Sequence, residues 1–407
     1  MRLAFVTNLY PPYIVGGNEM LCDQVVKALR ARHHEVSVIC GRGQRLPPGV
    51  HGVLEIDLDR KDETFLGSRR PSAWETYKLH GFSPVSYRAT RRLLASLSPE
   101  LVIVWNLYLA SLAPLVAARH SGRPVVTHVC DKWLASGLYG SGGSTVATSW
   151  SERIAGLLLR LSRPLLRRAT RPRPIVAISR FIKDVYLEAG FLDAAIDVIR
   201  LGVPTRAFSG PERPPRAPAA PLRLLFAGSL WEGKGPQVAV RALGRLVRSG
   251  VPVHLDVCGD GTPHFVSWLR GIVSEEGVGS HVTFHGFVAP GEIQRFYRSD
   301  DVLVFPSQWD EPFAAVPVEA MAAGMAVVAT TAGGTPEAVT DGSTGLLVPP
   351  GDPDALALAV RRLAENDVLR LRLGAAAARR AGEAFEFDDY VDRLEARYRS
   401  AMVGATP

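Results

Sequence analysis

Short apolar runs alternate with helix-patterned segments along this chain, and the alternation occurs as two separate series. Strands separated by helical crossovers must run parallel, so each series predicts a parallel sheet flanked by helices. The first series places strands at residues 3–7, 36–40, 101–105, 125–129 and 175–178, with helices at 19–32, 87–97, 111–120 and 180–189. The second restarts at 222–227 and continues through 254–258, 282–285, 302–305, 327–329 and 346–348, before an amphipathic helix at 388–402.

The chain has 407 residues. Single hydrophobic cores stop growing near about 250–300 residues, so two domains are expected. The Pro-rich, aromatic-poor stretch 206–221 reads as the linker between residues 1–205 and 222–385, and residues 386–407 as the terminal helix. Charge is unevenly placed: residues 1–205 hold 27 basic against 16 acidic side chains, and the remainder 20 against 24. A basic first half suits an anionic acceptor, an anionic membrane surface, or only an Arg-rich composition. Nothing resembles a nucleic-acid reading element, and no apolar stretch is long enough to span a bilayer. The N-terminus reads as a first strand and not as a signal peptide. Cys22, Cys40, Cys130 and Cys258 are dispersed, as expected of reduced thiols in a cytoplasmic protein and not of a disulfide frame or metal site.

After the strand at 302–305, Glu311 and Glu319 stand eight residues apart, with small apolar residues between them. If a helix covers that interval, the carboxylates are about 12 Å apart along its axis. Two carboxylates that share one glycosidic bond in a hydrolase lie within roughly 5–9.5 Å. This pair therefore suits the two ends of one elongated, hydroxyl-rich ligand, of which a nucleotide sugar is an example.

The run Glu311-Pro312-Phe313-Ala314-Ala315-Val316-Pro317-Val318-Glu319 resembles the E-x7-E signature of the family-4 retaining glycosyltransferases. That resemblance implies an α/β GT-B fold, two Rossmann-like domains facing a cleft. It implies that Glu311 contacts the donor sugar, that Glu319 holds the ribose hydroxyls, and that Phe313, Ala314 and Ala315 line the donor side. Gly228-Ser229-Leu230-Trp231-Glu232-Gly233-Lys234-Gly235 first reads as the start of a P-loop, but Gly235 replaces the hydroxyl that would ligate magnesium. The same residues resemble the family's diphosphate segment, with Lys234 kept and Ser229 where an Arg is usual. Gly16 and Gly17 follow the first strand and read either as a plain turn or as a loop that lets an anionic ligand approach a helix start; the resemblance implies that they bind the donor, their loop lying against its diphosphate and the acceptor. Gly333 and Gly334 resemble the family's second Gly-rich loop, and Gly259 a further element near the nucleotide.

The segment 124–133 resembles a P-V-V-x-x-x-H-D-x-W pattern, in which the His contacts the donor sugar. Asp131 and Trp133 align with it, whereas Cys130 occupies the His position. His128 lies two residues earlier on the same strand face; it either substitutes in part or is a core histidine. Retention in this family is attributed to front-face attack assisted by the leaving diphosphate, so no enzymic nucleophile is implied, and neither is a metal or cofactor. The expected activity is transfer of a sugar from a nucleoside-diphosphate sugar, UDP-linked by family frequency, to an unidentified acceptor hydroxyl. A non-catalytic nucleotide-sugar-binding protein and a GT-B epimerase or phosphorylase are the alternatives.

From Arg153 to Arg173 the chain carries seven arginines and no acid, interleaved with leucines. Such a helix either lies peripherally on an anionic membrane face or is a packed helix with a solvated Arg side. The Gly/Ser-rich residues 137–149 before it read as an acceptor-side loop.

Overall fold

A computed structural model describes residues 1–14, 16–57, 81–108, 110–135, 150–170, 174–217, 220–289 and 291–404. The chain forms two compact units, Met1–Ile199 with Val391–Pro407, and Arg200–Tyr390.

Unit 1 is built on β1 (Arg2–Thr7), β2 (Glu35–Arg42), β3 (Val50–Asp57), β4 (Leu101–Asn106), β5 (Val125–Val129), β6 (Ile175–Ala177) and β7 (Ile196–Val198). They form one parallel sheet in the order β3-β2-β1-β4-β5-β6-β7. β4 reads Leu-Val-Ile-Val-Trp-Asn and is buried at every position, as a strand covered on both faces must be. The strand order reverses between β1 and β4, where loops leave the carboxyl ends in opposite directions and open a crevice. β3 and β7 were not foreseen. β3 is interrupted by Gly52 and carries Glu55 and Asp57, and β7 has three residues with Asp197 at its centre, so neither shows a continuous apolar run.

Unit 2 repeats the plan with β8 (Leu222–Ala227), β9 (Val253–Cys258), β10 (Val282–Gly286), β11 (Val302–Phe305), β12 (Ala326–Thr330) and β13 (Leu346–Val348). Their order is β10-β9-β8-β11-β12-β13, and the reversal falls between β8 and β11. Leu243 and Leu246 of the helix Pro236–Arg248, and Leu356, Val360 and Leu363 of the helix Pro353–Glu365, pack in one core with Leu224, Leu255 and Val304. Both helices begin with Pro at a position whose N–H has no intrahelical partner, and Asp352 caps the second from its side chain.

The stretch 206–221, expected as a linker, belongs to unit 2. Its prolines keep it out of the sheets, but its arginines fasten it down. Arg213 donates to the carbonyls of Tyr297, Asp300 and Ala323, and Arg216 donates to the Ala364 carbonyl and, through its backbone N–H, to Asp367. The last helix, Phe387–Val403, contains the division between the units. Its Val391, Leu394 and Tyr398 are fully buried, and Arg397 pairs with Asp197 of β7 while Arg32 pairs with Asp392.

Candidate active site

In unit 2 the loops at the switch point carry the residues that the sequence singled out. β8 leads through Gly228 and the exposed Ser229 into the short turn Glu232–Lys234, and β11 ends at Phe305, just before Ser307 and Glu311. The Lys234 ammonium lies 2.7 Å from Glu311 Oε1 and 2.9 Å from Oε2, and the Ser307 hydroxyl donates to Oε1 at 2.7 Å. Glu311 is 4% exposed, and a cation and a hydroxyl meet its carboxyl group in that dry place. An ammonium has three N–H donors, and with two directed at the carboxylate a third remains for an incoming phosphate oxygen.

The helix that carries Glu319 starts at Ala315, so Glu311 lies in the preceding loop and the axial separation drawn from a continuous helix does not apply. The reason is local: Pro312 disfavours helical backbone at Glu311, and the Phe313 ring packs against Phe385, 5.6 Å between centroids, before the helix begins. Ala314 is the helix cap and offers no side-chain acceptor, which leaves the first N–H groups of Ala315–Ala322 without a side-chain partner. A diphosphate is suited to such a helix start. Glu319, one turn inside, accepts a 2.7 Å hydrogen bond from the Tyr297 hydroxyl, and burial pushes its carboxyl up to about 7.

Gly333 and Gly334 follow β12 and press on the same loop. The Gly334 N–H donates to the Glu311 carbonyl at 2.7 Å, while Gly333 has φ +56° and a Cβ there would stand 2.4 Å from the Glu311 backbone. Gly259 is equally constrained, its Cβ position lying 1.8 Å from the Gly228 carbonyl. These glycines hold loops against each other. Gly16 and Gly17 differ: neither has a positive φ, and a Cβ would meet only Glu19 Oε2 at 4.0 Å from Gly16 and nothing within 4 Å of Gly17. Their lack of side chains leaves open space before the helix Gly17–Ala31, whose start Glu19 closes by accepting from the Gly16 N–H at 2.8 Å.

At the carboxyl end of β5, Asp131 Oδ1 accepts from the Trp133 N–H at 2.7 Å, and burial raises its carboxyl to about 6. Cys130 beside it is buried and its thiol is pushed well above its ordinary range by burial, so it is no thiolate nucleophile. His128 is corrected from candidate catalytic residue to core residue. It is 0% exposed, stacks on Trp105 with ring centroids 4.4 Å apart, and shares a 2.9 Å hydrogen bond with the Tyr398 hydroxyl. Burial lowers its pKa to about 3, which holds the ring neutral. The same-face argument was sound, but that face of β5 points into the core. The proposed acceptor-side loop at 137–149 lies outside the described residues.

Two partners went unforeseen. Ser307 stands in no motif, although its place two residues after β11 and four before Glu311 is a usable signal. Tyr297 had none, because its contact with Glu319 spans two elements.

The sequence model of the family described as "Glycosyltransferase Family 4" matches residues 15–207, and that described as "Glycosyl transferases group 1" matches residues 212–380. The chain is 27% identical over 415 residues to a glycogen synthase of Mycobacterium tuberculosis, covering 99% of this chain and 96% of that one. It is 37% identical over 186 residues to a D-inositol 3-phosphate glycosyltransferase of Streptomyces avermitilis, which covers 44% of this chain and 39% of the relative. Sucrose-phosphate synthase from Thermosynechococcus elongatus superposes with a TM-score of 0.76 at 21% identity over 99% of both chains. Anabaena HepE in complex with UDP-glucose does so with a TM-score of 0.72 at 19% identity, over 98% of this chain and 100% of that one. The fold they share is GT-B.

Proposed function

Because this chain belongs to the family-4 glycosyltransferases, we propose that it transfers a hexosyl group from a UDP-linked sugar to an acceptor hydroxyl with retention of anomeric configuration. The observation that carries the reading is the cluster of Lys234, Glu311 and Ser307 at the switch point of the second sheet. In this reading unit 2 binds the donor. Lys234 and the N–H groups at the start of Ala315–Ala322 stabilise the departing diphosphate, which is where negative charge grows in the transition state. Glu311 accepts from the sugar hydroxyls, fixed in orientation by its own two partners. Glu319 accepts from the ribose diol. The acceptor proton passes to the leaving diphosphate, so no side-chain nucleophile, metal or cofactor is invoked. Unit 1, with Asp131 and the open Gly16-Gly17 loop, selects the acceptor. The UDP complex of HepE supports uridine as the base. Among the described residues no helix is long and apolar enough to cross a membrane. The four cysteines are unpaired and buried, which supports a cytoplasmic setting.

The test is nucleotide release from UDP-, GDP-, ADP- and TDP-sugars beside a Glu311→Ala control, with the anomeric configuration of any product read by NMR. Release from UDP-sugar that drops about 10²–10³-fold in the control supports the reading. Another preferred nucleotide refutes the UDP assignment, and an inverted product refutes retention. Donor binding without turnover across broad acceptor mixtures would favour a binding protein, a reading to which Ser229 at the usual Arg position gives some weight.

A further inference from the structure

A helix on the surface of a globular protein normally turns its leucines inward. The helix Trp150–Thr170 of unit 1 does the reverse. Ile154, Leu157, Leu158, Leu161 and Leu165 are all exposed, with Leu161 and Leu165 at 72% each. At 3.6 residues per turn these five fall within an arc of about 100°. The buried residues Leu166 and Thr170 lie on the other side, roughly 130–170° from the centre of that arc. Arg119 donates to the Ala169 carbonyl at 2.8 Å, and this bond, with the buried pair, ties the helix to its own unit. The leucine face is therefore not the face by which the helix is held.

Beyond Glu152 in its first turn, the helix carries charge of one sign. Arg153 and Arg160 are exposed on its flank, about 90–110° from the centre of the arc, and Arg168 is exposed near its C-terminal end. From Arg153 to Thr170 the sequence contains no acid. Leucines presented to solvent beside an unbroken basic flank match the two layers of an anionic bilayer surface: acyl chains for the leucines, and phosphates for the guanidinium groups. A protein surface would have to supply an apolar groove with acids on one side, whereas a bilayer supplies both layers anywhere along its plane.

We propose that the helix Trp150–Thr170 docks unit 1 peripherally on an anionic lipid bilayer, with Leu157, Leu161 and Leu165 in the interface and Arg153, Arg160 and Arg168 on lipid phosphates. The helix lies in the plane of the interface and does not span it. This mode of attachment does not depend on the donor or on turnover.

The full chain is sedimented with vesicles of phosphatidylcholine alone and of phosphatidylcholine with 30 mol% phosphatidylglycerol. Binding to the anionic vesicles is expected to be at least tenfold stronger, and to weaken as salt is raised. The combined Leu157→Ser, Leu161→Ser and Leu165→Ser variant loses at least tenfold in partitioning. The combined Arg153→Gln, Arg160→Gln and Arg168→Gln variant loses about fivefold per arginine and no longer distinguishes the two vesicles. Should either variant fail to fold, a Leu161→Cys protein carrying an environment-sensitive dye decides the matter, since the four native cysteines are buried. A blue shift with anionic vesicles supports insertion, and an unchanged spectrum overturns it. Equal binding to both vesicles, or no binding to either, also overturns the proposal. So does a dimer in sedimentation velocity that the serine variant dissolves, which would make a second copy of the chain the occupant of this face.

Discussion

The carboxyl ends of the two sheets occupy equivalent places in two copies of one topology, yet they are built to different tolerances. In unit 2 the loops are locked. Glu311 is held by Lys234 and Ser307, and Gly333 sits where a Cβ would stand 2.4 Å from the Glu311 backbone. In unit 1 the corresponding loop is free of such demands, because Gly16 and Gly17 have neither a positive φ nor a crowded Cβ direction. Its carboxylate, Asp131, accepts a backbone N–H, and burial raises its pKa. If unit 2 takes the donor and unit 1 the acceptor, the contrast has a simple logic. Every donor presents the same diphosphate and ribose, so a rigid site costs nothing in generality. Acceptors differ, and a loop free of strain can change its side chains without disturbing the sheet behind it.

The sharpest way to break this comparison is a matched pair of glycine substitutions. Gly333→Ala should destabilise unit 2 by about 2–4 kcal/mol, from the left-handed backbone together with the overlap, and urea unfolding would show it. Gly17→Ala should leave stability within about 1 kcal/mol, or raise it slightly by favouring the helix, while the acceptor KM rises. Equal stability losses in the two variants would end the claim that the loops differ.

The contrast also explains what could be read from sequence. Among the described residues thirteen strands form the two sheets; the eleven expected from sequence are apolar runs or alternate apolar with polar residues, as Val253–Cys258 does, whereas β3 is broken by Gly52 and β7 sets Asp197 in a strand of three residues. Lys234, Glu311 and Glu319 were legible because they stand in tight local patterns beside strand ends. The sequence left His128 open between a partial substitute and a core histidine because period-two reasoning tells which residues share a face but not which face meets the core. The Tyr398 and Trp105 rings that enclose it come from distant parts of the chain.

A smaller effect concerns pH. Burial holds the Glu319 carboxyl at about 7 in the folded protein against an ordinary value of 4.5. The neutral form therefore favours folding, and the stability it lends is complete below about pH 4.5 and is lost as pH rises through about 7. A ribose diol wants the opposite, a charged acceptor. The affinity for UDP measured by calorimetry should therefore rise up to about tenfold between pH 6 and pH 8, while the melting temperature without ligand falls. Glu319→Gln should flatten both trends, and a pH-independent affinity in the unaltered protein would remove Glu319 from the ribose site.

The smallest expected change tests unit 1. Because its thiol is buried and stays protonated, Cys130 should resist iodoacetamide in the native state and react only on unfolding. Mass spectrometry of the alkylated protein would show this. Native labelling of Cys130 would mean that the carboxyl end of β5 opens in solution, which would loosen unit 1 further than the comparison allows.

The position of the final helix has a consequence for how the molecule is made. Unit 1 is discontinuous: Tyr398, which meets Phe5 and His128, arrives almost four hundred residues after β1. On a ribosome, all of unit 2 has been synthesised before the residues that complete the core of unit 1 emerge. Until then the first half of the chain is an unfinished sheet in which Phe5 and His128 lack their partner Tyr398. The second half, continuous from Arg200 to Tyr390, needs no later residue and can close before unit 1 is complete.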